Sequence, residues 1–275
     1  MSKLYVVGTP IGNLGDFSPR AVETLESVDF IAAEDTRVTL KLLNHFGIKK
    51  SMVSYFEHNK RERGEMITSR ILGGESCVLV TDAGMPAISD PGEDLVRLCH
   101  EKGIKVESVP GPCAFTTALA LSGFPSGRFT FEGFLSVNKP SRREHLQSLE
   151  NETRTMLFYE APHKLGATLR DMNKVFGNRE IAIVREITKL HEEVIRTTLD
   201  EAVEKYADGS VKGEIVLVIK GAEKAESGDE MTFEQAVECA KRSVEDGMSV
   251  SEAAKQAAKL SGFKKGEIYK SLIGE

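Results

Sequence analysis

Short strand-like runs recur through the first part of the chain: the apolar LYVV at 4–7, FIAA at 30–33 and VLVT at 78–81, and the more mixed SMVSY at 51–55 and KVESV at 105–109. Runs this short, rich in β-branched residues and closed by Gly, Pro or charged residues, read as buried strands. Between them the apolar positions take up helical spacing, over 18–25, 38–46, 65–72, 93–102 and from Cys113 onward. Ser18 and Pro19 suit the cap and first position of the first of these helices. Strands alternating with helices predict an α/β layer on a parallel sheet. The second half repeats the theme less regularly, with strand-like runs at 128–134, 155–159, 180–185, 192–198 and 213–219 and helical spacing at 142–150, 163–175 and 199–206. That pattern predicts a second α/β domain on a mixed sheet. Residues 222–230 are polar and read as a linker. Two amphipathic helices follow at 232–246 and 249–260, with Thr232/Gln235 and Ser249/Glu252 spaced as capping boxes. A short third helix follows Gly262. The expected organisation is an N-terminal α/β domain at 1–118, a second at 119–222 and a helical appendage at 228–275.

Against this pattern one stretch stands out, VLVTDAGMPAISDPG at 78–92. A strand ends at Asp82 and gives way to a Gly- and Pro-rich loop, at the strand edge where open α/β sheets bind ligands. Gly84 permits close approach of backbone to a ligand, and Pro86 and Pro91 stiffen the loop. The next helix is expected to start with Pro91 at its first position and Glu93 and Asp94 in its first turn. Three other strand ends carry polar chemistry. GTPIGNLGD at 8–16 has the glycines of a phosphate loop without its spacing. Glu34-Asp35-Thr36-Arg37 puts two carboxylates side by side, one of which suits a helix cap while the other faces the site. YFEHNKRER at 55–63 interleaves aromatic and basic residues, a composition that suits either a solvated helix start or a single-stranded nucleic acid.

Composition narrows the function. The 275 residues carry a net charge of −6, so nucleic-acid binding must rest on local basic patches. No apolar run approaches the ~20 residues of a membrane span, and the N-terminus lacks a signal-peptide layout. The four cysteines are scattered without CxxC spacing, which points to free thiols in the cytoplasm and no structural metal.

DAGMPAISDPG resembles the signature of the bacterial 16S ribosomal RNA cytidine 2′-O-methyltransferases, which have the tetrapyrrole (corrin/porphyrin) methylase fold and use S-adenosylmethionine (SAM). GTPIGNLGD, EDTR, FYEAPH at 158–163, REITKLHEEV at 185–194 and KGEIVLVIKG at 212–221 match the same family, so the resemblance covers nearly all of residues 3–272. It implies two α/β domains of the tetrapyrrole methylase type with a SAM cleft between them, and a helix-turn-helix-like appendage. It implies SAM contacts from Asp82, Ala83, Gly84, Met85, Pro86 and Ile88, from Cys113 and Ala114 at a helix start, from Tyr159, Glu160 and Ala161, and from Gly213 and Glu214. The implied partner is 16S ribosomal RNA or the small ribosomal subunit, with Arg37, Lys60, Arg61, Arg142 and Arg143 as RNA contacts and a homodimer as the assembly.

A ribose hydroxyl is a weak acid, so transfer benefits from a positioned proton acceptor. Glu34 and Asp35 are the leading candidates, then His58, whose residue type titrates near neutrality, with Glu186 also at the cleft. A tetrapyrrole methyltransferase of the precorrin type is the alternative, and a nucleic-acid-binding regulator is a third class. EDTR, YFEHNKRER and the C-terminal helices are surplus to tetrapyrrole chemistry and favour RNA.

Overall fold

The computed structural model describes residues 2–207, 211–223 and 231–274. The chain divides into two compact units, Met1–Gly221 and Ala222–Glu275. The first unit opens with β1 (Leu4–Val7), α1 (Pro19–Ser27), β2 (Phe30–Ala33), α2 (Thr36–His45), β3 (Ser51–Ser54), α3 (Lys60–Leu72), β4 (Cys77–Val80), α4 (Glu93–Glu101) and β5 (Val106–Val109). The five strands form a wholly parallel sheet ordered β3-β2-β4-β1-β5. Side chains alternate across it. Phe30 and Ala32 join Leu4, Leu79, Ile67 and Leu95 in one core, while Ile31 and Ala33 join Val78, Val80, Leu25 and Leu43 in the other. Both faces are covered by helices, which is why the inner strands β1, β2 and β4 read as unbroken apolar runs, while the edge strands β3 and β5 carry polar residues.

The chain continues through α5 (Ala114–Ser122), β6 (Phe129–Phe134), α6 (Lys139–Ser148), β7 (Thr155–Glu160), α7 (Leu165–Phe176), β8 (Glu180–Arg185), β9 (Glu193–Thr198), α8 (Leu199–Lys205) and β10 (Ile215–Ile219). The second sheet is mixed, as the irregular spacing predicts. Its order is β6-β7-β10-β8-β9, with only β6 and β7 parallel. Met156, Phe158, Ile183 and Leu217 face a core with Leu146, Leu165, Leu169 and Leu199 of the helices. Leu157, Ala182, Val184, Val216 and Val218 face the other way, onto Ala118 and Leu119 of α5.

That contact corrects the expected boundary at 118/119, which falls inside α5. This helix packs on the second sheet and belongs with it. Other bounds shift for local reasons. α3 begins at Lys60, so Lys60, Arg61 and Arg63, with Glu62 among them, form its first turn rather than a preceding loop. α4 begins at Glu93 behind Gly92, whose φ of 154° no β-carbon-bearing residue adopts easily, so Pro91 lies outside the helix instead of at its first position. Glu93 and Asp94 do fill its first turn. α6 starts at Lys139, earlier than expected, because the Asn138 side chain accepts the Ser141 amide proton at 3.2 Å. The run 213–219 becomes a strand only at Ile215, since Gly213 turns the chain at φ 90°.

In the second unit α9 (Phe233–Glu245), α10 (Val250–Ser261) and α11 (Lys265–Ile273) enclose a core of Ala236, Ala240, Ala253, Ala254, Ala257 and Ile268. Thr232 and Gln235 form the full capping box. Ser249 accepts the Glu252 amide proton at 3.3 Å, but the Glu252 carboxylate accepts the Ser249 hydroxyl proton at 2.7 Å instead of reaching the backbone. From residue 224 the expected linker lies outside the described residues. Among the described residues no helix is long and apolar enough to cross a membrane.

Candidate cofactor and substrate site

The loops that leave β1, β4 and β5 meet at the carboxyl edge of the first sheet. Thr9 and Gly84 exchange backbone hydrogen bonds of 2.9 and 3.1 Å, tying the GTPIGN loop to the DAGMP loop. The Thr9 hydroxyl donates to the Thr81 carbonyl at 3.1 Å and closes the junction from below. Gly8 and Gly111 touch backbone to backbone, so a β-carbon on Gly8 would lie 2.7 Å from the Gly111 α-carbon. Gly84 sits at φ 88°, in the left-handed region that favours glycine.

These loops and the second sheet enclose a cavity of about 450 Å³, within the size range of small-molecule sites. Ile11, Met85 and Ile88 supply apolar wall from one side, and Phe134, Tyr159, Ile187, Ile215 and Val216 from the other. The Tyr159 ring is fixed edge-on to Phe131 at 5.0 Å, and Phe131 stacks on Phe115 at 4.3 Å. Burial pushes the Tyr159 hydroxyl up to about 12, so it stays protonated. The Cys113 end of α5 opens on the same space, which suits an anionic group.

Carboxylates crowd the first-sheet side. Glu34, at the end of β2, accepts from the Thr81 hydroxyl and, at 3.4 Å, from the Asp82 amide. Asp35 turns the other way. It caps α2 by accepting the Arg37 amide proton at 2.8 Å and pairs with the Arg37 guanidinium at 2.6 Å, which holds its carboxyl down at about 2. Asp82 accepts the Asp35 amide proton at 3.1 Å, and loss of hydration, then the Glu34 charge, raise its carboxyl. Burial, then the Glu34 charge, push Asp90 up to about 6, opposed by the nearby Thr81 hydroxyl.

Three non-glycine residues among those described have positive φ: Ala87 at 66°, Glu186 at 49° and Thr188 at 67°. All three flank residues that wall the cavity, Ile88 and Ile187, and such strain is commonly retained at functional sites. The 186–189 turn is pinned by Lys189, whose ammonium reaches Glu186 and Glu214 at 2.9 Å each.

Asp82, Ala83, Gly84, Met85, Ile88, Cys113, Ala114, Tyr159, Glu160, Ala161 and Glu214 thus all line one cavity, joined by Glu34. Glu160 is buried, accepting the Thr168 hydroxyl and, at 2.8 Å, the Ala161 amide proton. Pro86 and Gly213 lie behind the wall. Pro86 is buried, and Gly213 packs on the Glu186 side chain. Asp35 faces its own helix, His58 lies in a separate surface depression with Arg61, and Glu186 is held by Lys189 and the Glu214 amide.

Of the basic residues expected at RNA, Arg142 is a correction. It is buried and gives its guanidinium to Asp171 at 2.6 Å, so it is not open to a phosphate. Arg143 beside it is exposed, with Asp171 at 3.7 Å. Lys60 is bridged to Glu57 and Asp94, at 2.7 and 2.9 Å. The sequence reading missed Ile11, Thr81, Ser89, Asp90 and Phe134 among the lining residues. Asp90 stood inside the very motif singled out, but a carboxylate just ahead of a helix reads locally as a dipole partner.

The sequence pattern of the tetrapyrrole (corrin/porphyrin) methylases matches residues 3–203. A protein of Synechocystis sp. named Ribosomal RNA small subunit methyltransferase I is 44% identical over 270 residues, 98% of this chain and 96% of the relative. One of the same name from Thermotoga maritima is 48% identical over 223 residues, 81% of this chain and all of the relative. Among solved structures, uroporphyrin-III C-methyltransferase from Thermus thermophilus complexed with S-adenosyl homocysteine aligns with a TM-score of 0.55 at 18% identity, covering 79% of this chain and 97% of the other, a likeness of fold. The chain belongs to the tetrapyrrole (corrin/porphyrin) methylase family and, within it, to the group of the ribosomal RNA small subunit methyltransferases I.

Proposed function

We propose that this chain methylates the 2′-hydroxyl of a cytidine in the 16S RNA of the small ribosomal subunit, with SAM as donor. The observation that carries the reading is the match, at 41–48% identity, to relatives named as small-subunit ribosomal RNA methyltransferases. A match of 98% of the chain spans both sheets and so every wall of the cavity. The cytidine and the ribose oxygen come from the resemblance of DAGMPAISDPG and EDTR.

The cavity fits the donor chemically. Its apolar walls suit an adenine ring, the start of α5 suits a carboxylate, and Asp82 and Glu214 suit cationic groups. SAM supplies a methyl group on a sulfonium, transferred as the oxygen–carbon bond forms and the carbon–sulfur bond breaks with its electron pair leaving on sulfur. The protein's own work is alignment and proton removal. Gly84 adds no side chain to the wall, Gly8 lets its loop pack on Gly111, Tyr159 bounds the cavity, and Glu34 fixes the Thr81 hydroxyl. Of the acceptors named from sequence, Glu34 alone lines the cavity, so Asp35 is proposed as a positioning residue and His58 as an outlying one. Arg61 and Arg143, with Arg37 and Lys60 partly neutralised by their acids, would meet phosphates. The reading includes a cytoplasmic homodimer whose C-terminal helices add RNA affinity.

The test is transfer of labelled methyl from SAM to undermethylated small subunits, to naked 16S RNA and to uroporphyrinogen, with nuclease digestion and mass analysis of the nucleoside. The expected product is 2′-O-methylcytidine. Label in the tetrapyrrole and none in RNA overturns the reading. Sedimentation of the full chain tests the dimer, and truncation after residue 221 tests the helices.

A further inference from the structure

The strand β6 alternates its side chains across the second sheet but breaks step once. Phe131 pairs with Leu157, and the next pairs are Gly133 with Phe158 and Phe134 with Tyr159, so Glu132 is an extra residue. Gly133 carries this bulge at φ 63°, a left-handed conformation that suits glycine. Unbroken alternation would set Gly133 opposite Tyr159 and turn Phe134 to the far face of the sheet. The bulge brings Phe134 instead to the face of Phe131 and Tyr159, where it lines the cavity. Bulges are rare between parallel strands and are enriched beside active sites, where they re-aim a side chain. The displaced Glu132 is tied to α6 by a hydrogen bond with His145 at 2.9 Å.

Phe134 is 60% exposed, more than any other aromatic residue among those described. A lone exposed phenylalanine is ordinary on a protein surface. One that a bulge delivers to the open rim of a ligand cavity is not explained by packing. Its support is itself aromatic, with its ring centroid 5.3 Å from that of Tyr159, which is held in turn by Phe131. Five residues on, α6 begins with Lys139, and Arg143 stands one turn further along, exposed as Lys139 is. Lys139 has no ion pair among the described residues, and Arg143 meets only an Asp171 that Arg142 already holds at 2.6 Å.

Resting on the reading of this chain as a ribose methyltransferase, we propose that Phe134 is the stacking platform for the target base, turned out of its strand, and that Lys139 and Arg143 hold the phosphates beside it. Single-stranded bases are the ones that can be splayed out, and each has a flat face that stacks on an aromatic ring. The ribose is joined directly to the base, so a stack at the rim fixes the 2′-hydroxyl beside the cavity that takes the donor. Stacking is tolerant of base identity. Phe134 therefore sets position, and the choice of cytidine comes from other contacts.

The experiment is single-turnover transfer by the full chain to undermethylated small subunits, at saturating SAM and over a range of particle concentrations. Calorimetry measures SAM affinity, and sedimentation measures the mass of each variant. Phe134→Ala should raise the half-saturating particle concentration ~30-fold, with SAM affinity within about threefold of the wild type. Phe134→Trp should stay within about threefold on both counts. Phe134→Leu keeps the apolar bulk without the flat face and should still lose ~10-fold, an order that mere support of Tyr159 would not produce. Replacing Lys139 and Arg143 together by Ala should lower the salt slope of particle binding by about 2, again with SAM affinity unmoved. An Ala or Leu variant within twofold of the wild-type half-saturating concentration overturns the platform. A loss of SAM affinity beyond tenfold in Phe134→Ala also overturns it, by making the ring donor wall, and so does a changed sedimenting mass, by making it a subunit contact. If the wild type itself labels no RNA, the functional reading has failed, whatever Phe134 does.

Discussion

The two sheets that meet at the cavity contribute opposite chemistry. The first is wholly parallel, so every strand delivers its carboxyl end to one edge, and the polar loop residues Glu34, Thr81, Asp82 and Asp90 converge there. The second is mixed, its strands run both ways, and it offers mainly apolar wall, Phe134, Tyr159, Ile215 and Val216, beside the carboxylates of Glu160 and Glu214. Its charges are mostly spent on structure, Glu160 on Thr168 and Arg142 on Asp171. Strand direction therefore divides the labour, with reactive groups from the first sheet and shape from the second.

This division is open to a direct break. Replacing Arg142, on the helix covering the second sheet, by Ala leaves Asp171 without its closest cation at a buried site. The expected cost is about 3–5 kcal/mol of stability, read as a lowered denaturation midpoint, with SAM affinity unchanged in the protein that remains folded. If stability holds and RNA affinity falls instead, the second sheet carries function in its charges and the contrast fails. On the first sheet the effect should reverse. Gly84→Val puts a branched residue at φ 88° and should cost ~100-fold in SAM affinity, about 3 kcal/mol, while far-ultraviolet circular dichroism stays native. Unchanged calorimetric affinity would move the donor away from this loop.

Asp90 sharpens the comparison, because a half-buried carboxyl beside other carboxylates should be a stability liability. Its carboxyl is pushed up to about 6 in the fold, against ~3.9 in an unfolded chain. Between those values the folded state holds a proton that the unfolded state lacks, so stability falls as pH rises from ~4 to ~6 and the whole penalty applies above. Asp90→Asn should remove that slope and add about 1 kcal/mol at pH 7.5, a figure discounted for the group's partial hydration. Denaturant curves at pH 4.5 and 7.5 check it, and an equal effect at both values would refute the linkage. The smallest effect belongs to Arg143→Ala, which should leave stability within ~0.5 kcal/mol and lower the salt slope of RNA binding by about 1. A slope equal to the wild type's would remove this residue from the RNA path.

The sequence revealed most where physical cause is local. The apolar runs LYVV, FIAA and VLVT mark strands because both faces of the first sheet are buried, and the loop at 82–88 follows from its glycine and prolines. It failed where the partner is distant in the chain. The guanidinium of Arg142 looks available until Asp171 arrives on α7, and Asp90 looks like a helix-dipole residue until Glu34 and Asp82 come beside it. AFTTALALS is apolar on most sides, so nothing in its pattern says which sheet α5 will cover. The split between Glu34 and Asp35 was foreseeable in kind, since neighbours at a strand end diverge. Which of them faced the cavity was not.

The strand order also governs how the protein must be made. β1 leaves the ribosome before the other strands of its sheet, yet its neighbours are β4 and β5, with Leu4 in register with Cys77 on one side and Val106 on the other. At synthesis rates of roughly 5–20 residues per second, LYVV waits several seconds with both hydrogen-bonding edges unfilled while β2 and β3 are already able to pair. The nascent chain must therefore carry an apolar, edge-exposed segment until β5 and the Pro-Gly-Pro turn behind it emerge. A holdase on the emerging β1 would shelter it, and swapping the order of synthesis by circular permutation would shorten the wait.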